Sequence, residues 1–154
     1  MAHFAKLLKI EFGEDFANFP GAGAAGGLGA GLMAFCEAEI VSGFELISQL
    51  THLEEHISVA RLVFTGEGKI DSQTANGKTV SGVAKIAQKH GIPVIALAGM
   101  ISGDMTEIHD LGVTSVFSIA DRPMSLEESK ERAAELLASR TEQIMRLIID
   151  YKSK

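Results

Sequence analysis

The chain has 154 residues, of which 46% are apolar and three are proline, enough to bury one core and without the composition of a disordered segment. Its net charge of −6 argues against a large nucleic-acid footprint, which needs a positive surface to displace counterions from phosphates. Cys36 is the sole cysteine, which excludes an intramolecular disulfide, and no run approaches the roughly 18 apolar residues of a spanning helix.

The first residues, MAHFAKLLKIEFG, are amphipathic and of mixed charge rather than signal-like, so a reducing, cytoplasmic setting without a membrane partner is expected. Phe4, Leu7, Leu8 and Phe12 recur at helical spacing, and Gly13 and Pro20 end the pattern. The segment Gly21 to Gly31 (GAGAAGGLGAG) has six glycines in eleven positions and leads into Leu28, Leu32, Met33 and Phe35, which read as one face of a helix entered from a loop. The neighbours of Cys36 suggest a buried thiol with no base or positive field to activate it. Phe44 to Ile57 has apolar residues at helical spacing and predicts one helix.

Beyond it the order alternates. Strand Leu62 to Phe64 is followed by helix Gly82 to His90, strand Val94 to Ala98, a helix around Met105 to Leu111, strand Val113 to Ile119 and a final helix from Ser125 to Ile149. Ser125, three residues before Glu128, marks the start of the last helix as a capping pair. Strands separated by helices of this length imply right-handed crossovers and a parallel sheet. The expected fold class is therefore α/β: a mainly helical segment, 1–60, carrying the glycine-rich loop 20–31, then a Rossmann-like βαβαβα unit over 61–154. Three parallel strands leave two edges to be paired or covered, so self-association into a homo-oligomer is one expectation.

Four motifs compete for the chemistry. Gly21 to Gly26 spells G-x-G-x-x-G, but a dinucleotide fingerprint needs a strand before its first glycine, and Ala17-Asn18-Phe19-Pro20 does not read as one. That weakens the reading as a small NAD-dependent oxidoreductase and leaves an anion-binding turn or simple close packing of Gly and Ala. Gly77-Lys78-Thr79 resembles the end of a P-loop, yet Ser72 stands where the opening glycine belongs. Lys78 then reads as a countercharge for phosphate or as an ordinary exposed lysine before a helix. His52-Leu53-Glu54-Glu55-His56 fits H-x-x-E-H, with a solvated helical face preferred to a metal site. The densest motif is Thr65 to Thr79 (TGEGKIDSQTANGKT), where Gly66, Gly68 and Gly77 alternate with Glu67, Asp71, Gln73 and Lys78 after a strand. Carboxylates in such a loop hold Mg²⁺ through oxygen or accept a hydroxyl proton; the alternative is a hydrophilic loop whose acids cap turns.

PGAGAAGGLGAG (20–31), TGEGKIDSQTANGKT (65–79), GIPVIALAG (91–99) and VFSIADRPMSLEE (116–128), in this order, resemble the C-terminal part of the bacterial glycerate kinase type I family. The resemblance implies transfer of the ATP γ-phosphoryl group to glycerate with Mg²⁺, on two α/β domains with the active site between them. Family members are more than twice as long, and their N-terminal lysine-containing and Asp-Gly-Gly-Glu-Gly-type motifs have no counterpart here. The chain thus reads as a fragment, inactive without the N-terminal half as partner. Within the matched motifs, residue chemistry leads to the expectation that N–H groups at Gly21, Gly23, Gly26, Gly27, Gly66 and Gly68 cradle phosphate or carboxylate. Lys78 counters charge, Glu67 and Asp71 hold Mg²⁺ or polarise the hydroxyl, and Gln73 and Thr65 orient the substrate. A non-catalytic phosphate- or nucleotide-binding module would keep the same residues.

Overall fold

A computed structural model describes residues 2–72, 74 and 79–152. The chain divides into two compact units, Met1–Leu46 and Ile47–Lys154.

The first unit contains α1 (Ala2–Phe12), a 3-10 turn (Phe16–Asn18) and α2 (Ala24–Cys36), and α3 (Gly43–Leu50) carries the boundary. Asp15 fixes the turn: one carboxylate oxygen accepts from the Ala17 N–H at 3.1 Å, the other from Lys9 Nζ at 2.7 Å. The Lys9 hydrogen bond, helped by the Ala17 amide, holds the Asp15 carboxyl below its usual range. Leu8, Phe16, Ala22, Ala30 and Ala34 form the core, with Phe4 and Met33 packed against it.

This core reverses the face expected for α2. The helix buries its small residues, Gly27, Ala30 and Ala34, and leaves Leu28, Leu32 and Phe35 exposed by 58%, 45% and 68%. At about 100° per residue these three lie on the side opposite Ala30 and Ala34. Cys36, at the last position of the helix, is exposed rather than buried, because the close approach at the alanine face turns it outward.

The second unit is built on β1 (Val63–Ile70), β2 (Val94–Ile101) and β3 (Val113–Ser118), all parallel and in spatial order β1-β2-β3. The helices are α4 (Leu53–Ser58), α5 (Val80–Lys89), α6 (Thr106–Asp110), α7 (Leu126–Glu131) and α8 (Ala133–Lys152). The α/β class with a small parallel sheet and flanking helices is thus observed. Central strand β2 is buried from Val94 to Ala98, as a parallel strand covered on both faces must be. Ile95 and Leu97 pack with Ile144 of α8, and Leu62, Phe64, Phe117, Ile119 and Ile148 close that layer. The alternation of the pleat turns Val94, Ala96 and Ala98 to the other face. Helix α5 packs against β1 and β2 and buries Val80, Val83, Ala84, Ile86 and Ala87.

Three expected elements change. The helix over 44–57 is two, because His52 adopts a left-handed conformation (φ 51°) between α3 and α4 and Thr51 Oγ1 donates back to the Ile47 carbonyl at 2.8 Å. The final helix is interrupted at Arg132, although its start is as read: Ser125 Oγ accepts from the Glu128 N–H at 3.1 Å. Strand β1 does not stop at Phe64 but continues to Ile70. Among the described residues, no helix is long and apolar enough to cross a membrane.

Candidate functional site

The extension of β1 puts Gly66, Glu67 and Gly68 inside a strand rather than a loop, paired along β2 through Gly66↔Leu97 and Glu67↔Ala98 to Ile70↔Ile101. Two of the glycines there answer a steric demand. A Cβ at Gly66 would lie 2.4 Å from the Leu97 carbonyl oxygen, and one at Gly99 would lie 2.9 Å from the Gly68 carbonyl oxygen. Gly68 itself meets nothing within 4 Å. On the face where Phe64, Leu97 and Phe117 are bulky near the start of the strands, Gly66, Gly68 and Gly99 leave no side chain near the end. The result is an open cavity of about 660 Å³ at the carboxyl ends of β1 and β2, the end where open α/β sheets bind ligands. Ser129 and Lys130 of α7 and Ala133, Ala134, Leu137 and Thr141 of α8 form its far wall, and the lining is mostly apolar.

The polar residues follow the other phase of the strand. Thr65, Glu67 and Lys69 share one face by alternation. Glu67 Oε1 is buried and, among the described residues, has no hydrogen-bond partner. Lys69, two positions along on that face, is engaged by Asp71: Nζ lies 2.7 Å from Oδ2, and the Asp71 side chain is only 24% exposed. A tight turn follows, in which the Thr74 N–H donates to the Asp71 carbonyl at 2.9 Å and Thr74 Oγ1 accepts from the Asp71 N–H at 3.1 Å. Thr74 is buried. Gln73, Gly77 and Lys78 lie outside the described residues, and with them the P-loop-like ending. Lys69, Thr74 and Gly99 were not singled out from the sequence. Period-two reading of β1 would have found Lys69, but only the register shows why residue 99 is glycine.

The glycine-rich segment of the first unit is a kink within α2. Gly21 has φ 86°, and Ala25, Gly26 and Gly27 are left-handed in succession at φ 47°, 72° and 98°. The Ala24 N–H donates to the Gly21 carbonyl and the Ala30 N–H to the Ala22 carbonyl, both at 3.0 Å. Gly21 and Gly29 are explained by contact, since a Cβ at Gly29 would lie 2.5 Å from the Gly21 carbonyl oxygen and one at Gly21 2.8 Å from Ile40 Cγ2. Gly23 and Gly26 face open space. Ala25 is different: a left-handed alanine costs about 1–2 kcal/mol, and strain of this kind clusters at functional sites.

The segment before Gly21 is the 3-10 turn with Phe19 extended, not a strand, so the dinucleotide fingerprint lacks its context and the oxidoreductase reading is not favoured. In the H-x-x-E-H segment, His52 stands outside α4 with Nδ1 3.0 Å from Glu55 Oε1, while Glu54 Oε1 lies 3.2 Å from His90 Nε2. The His56 N–H donates to the His52 carbonyl at 3.2 Å, so the two histidines bracket the first turn of α4, with the His52 ring engaged by Glu55. Among the described residues, no three His, Cys, Asp or Glu side chains converge on a common point.

A parallel sheet with a glycine-floored cavity at its carboxyl edge, in a chain that also carries a left-handed glycine kink, defines an α/β protein whose cavity lies at the sheet end where such folds place ligands. The sequence matches the Glycerate kinase family over residues 1–149, and the chain belongs to that family. It is 46% identical over 137 residues to a glycerate kinase of Halalkalibacterium halodurans, covering 89% of this chain and 36% of that protein. To the glycerate 2-kinase of Escherichia coli it is 45% identical over 129 residues, covering 84% and 34%. A crystal structure of a Salmonella typhimurium LT2 protein, named as a candidate glycerate kinase 2, superposes with a TM-score of 0.77 at 35% identity over 99% of this chain and 39% of that one. The chain thus spans little more than a third of the length of the relatives it matches.

Proposed function

We propose that this chain supplies part of the active site of an enzyme that transfers the γ-phosphoryl group of ATP to a hydroxyl of glycerate, and that it binds ligand without turning over by itself. What supports the reading is that the family match runs unbroken through the glycine kink of α2 and the Thr65 to Thr79 segment. In the transfer, the glycerate hydroxyl oxygen bonds to the γ-phosphorus, the bond to the β,γ-bridging oxygen breaks to release ADP, and the hydroxyl proton passes to a carboxylate. Phosphoryl transfer depends almost entirely on positioning and charge neutralisation, so a site lacking some of its residues loses nearly all rate.

The residues fit these tasks unequally. Glu67 has a buried carboxylate oxygen with no partner among the described residues, the state expected of a group kept for a cation or a ligand proton. Asp71 already carries Lys69 as countercharge and anchors the turn through Thr74. Glu67 and Asp71 are the carboxylates that would hold a magnesium ion arriving with a nucleotide, and the ion would supply neutralisation of charge on the transferring group. Gly23 and Gly26, with Gly21 closing the turn, offer backbone N–H groups to an anion, whereas Gly27 is buried and shapes the kink. Gly66 and Gly68 keep the end of β1 open to a ligand, Thr65 and Gln73 orient the substrate, and Lys78 adds positive charge. The setting is cytoplasmic, with segment 1–60 and the βαβαβα unit 61–154 as the two working parts.

The test combines the chain with the remainder of the Halalkalibacterium halodurans relative and follows ADP release with glycerate and Mg-ATP. Glycerate-dependent ADP release by the mixture, and by neither part alone, supports the reading. Ligand binding that never leads to turnover favours the alternative, a non-catalytic phosphate-binding module.

A further inference from the structure

The cavity at the carboxyl ends of β1 and β2 joins two kinds of surface. Phe64, Leu97, Ile119 and Leu137 give it an apolar lining. Thr141 also lines it, but its Oγ1 donates to the Leu137 carbonyl at 2.7 Å and is engaged within its own helix. Gly66, Gly68 and Gly99 leave a floor of bare backbone, and at its outer end Ser129 Oγ would stand 3.9 Å from a Cβ at Gly99. Lys130 follows Ser129 on the lining and, among the described residues, forms no ion pair. An apolar slot thus opens beside a hydroxyl and a positive charge.

Glycerate and the transferring phosphoryl group are small, anionic and hydrated, and an apolar wall repays neither for the water it loses. Of the two proposed substrates only ATP has a large uncharged part, its base. We propose that this cavity receives the adenine of ATP, with the ring between the glycine floor and Ala134 and Leu137 of α8 and the phosphates leaving past Ser129 and Lys130. The volume of about 660 Å³ is that of a small-molecule site. A floor without Cβ atoms at Gly66 and Gly68 lets a flat ring approach the main chain. Guanine would bring a carbonyl and a ring N–H into the same apolar space without partners, which favours adenine. Lys130 meets the phosphates as a point charge. Asp71 is three residues past Gly68, at most about 11 Å along the chain, a span that a ribose and its phosphates cover. The identity of the nucleotide rests on the proposed reaction; the place of its base rests on the cavity.

The test titrates this chain, which contains no tryptophan, with ADP carrying a fluorescent label on its ribose, and displaces the label with ADP, adenosine, GDP and tripolyphosphate. Adenosine is expected to displace it, and GDP and tripolyphosphate to bind at least about tenfold more weakly than ADP. Gly68→Val and Ala134→Phe fill the cavity from opposite sides and are expected to weaken ADP and adenosine alike by at least about tenfold. A Cβ at Gly68 meets nothing within 4 Å and Ala134 is exposed on α8, so both variants should keep the wild-type circular dichroism spectrum. Lys130→Gln is expected to weaken ADP at least about fivefold and to spare adenosine. Leu147→Phe, on α8 outside the cavity, leaves both unchanged. Affinity undiminished by Gly68→Val and Ala134→Phe, GDP or tripolyphosphate binding as well as ADP, or equal losses of ADP and adenosine from Lys130→Gln would overturn the proposal. So would ADP that binds neither this chain nor its mixture with the remainder of the Halalkalibacterium halodurans relative. If the filled variants bind ADP normally while that mixture phosphorylates glycerate, the base site is wrong and the reaction stands; if they lose ADP and no mixture phosphorylates glycerate, the base site stands and the reaction falls.

Discussion

Replacing Gly66 by alanine tests the claim that the register of β1 dictates its glycines. The new Cβ would lie 2.4 Å from the Leu97 carbonyl oxygen, at least 1 Å inside ordinary contact, and both atoms are tied to main chain in paired strands. Relief requires β1 to part from β2, an overpacking strain that costs about 1–3 kcal/mol. Gly68→Ala, two residues on and equally a strand residue, meets nothing within 4 Å and gains about 0.4–1 kcal/mol from a less flexible unfolded chain. The two variants should therefore differ by about 3 kcal/mol at mid-range. With a urea slope of about 2 kcal/mol per molar, their midpoints separate by about 1.5 M, read by circular dichroism. Coincident midpoints, or a less stable Gly68→Ala, would refute the steric account and return Gly66 to a purely ligand-driven role.

Glu67→Gln should raise stability by about 1 kcal/mol, because it removes charge from a buried oxygen without a partner among the described residues, and should abolish turnover in the assembled enzyme; lower stability would mean that Glu67 holds the fold together. Leu136→Ala, at a site only 2% exposed on α8, should cost about 2–5 kcal/mol in thermal or urea unfolding. Arg132 lies 2.9 Å from Glu135 and 3.0 Å from Asp121, and these contacts hold both carboxyls below their usual range. Depressed folded-state values give stability that is present above the unfolded values, near pH 4, and lost as pH falls through the folded ones, so Arg132→Ala should lower Tm at pH 7, leave it nearly unchanged at low pH, and thereby flatten the fall of Tm below pH 4.

The alternating order of strands and helices was legible because hydrophobic period and short apolar runs such as Val94 to Ala98 are local signals. The carboxyl half of β1 was not. Gly66 and Gly68 carry low strand propensity and read as a loop, whereas pairing with Leu97 to Ile101 holds them in the sheet. The α2 face was misread for a related reason: large residues were expected inward, but the close approach of Gly29 to Gly21 admits only the small Ala30 and Ala34 stripe. For the candidate site, residue types in Thr65 to Thr79 mark a segment, yet nothing local distinguishes Glu67, whose Oε1 is buried without a hydrogen-bond partner among the described residues, from Asp71, held by Lys69. That distinction exists only in the folded chain, where the turn after Ile70, tied by Thr74, holds the Asp71 carboxylate against Lys69.

The most direct measurement is ³¹P NMR of glycerate and Mg-ATP incubated with the assembled protein, as wild type and with Asp71→Asn. A phosphomonoester of glycerate should accumulate as ATP is consumed, and the variant should form it at least about a hundredfold more slowly. A folded assembly that forms no such product, or one in which Asp71→Asn matches wild type, would contradict the assignment of phosphoryl transfer to this segment of the chain.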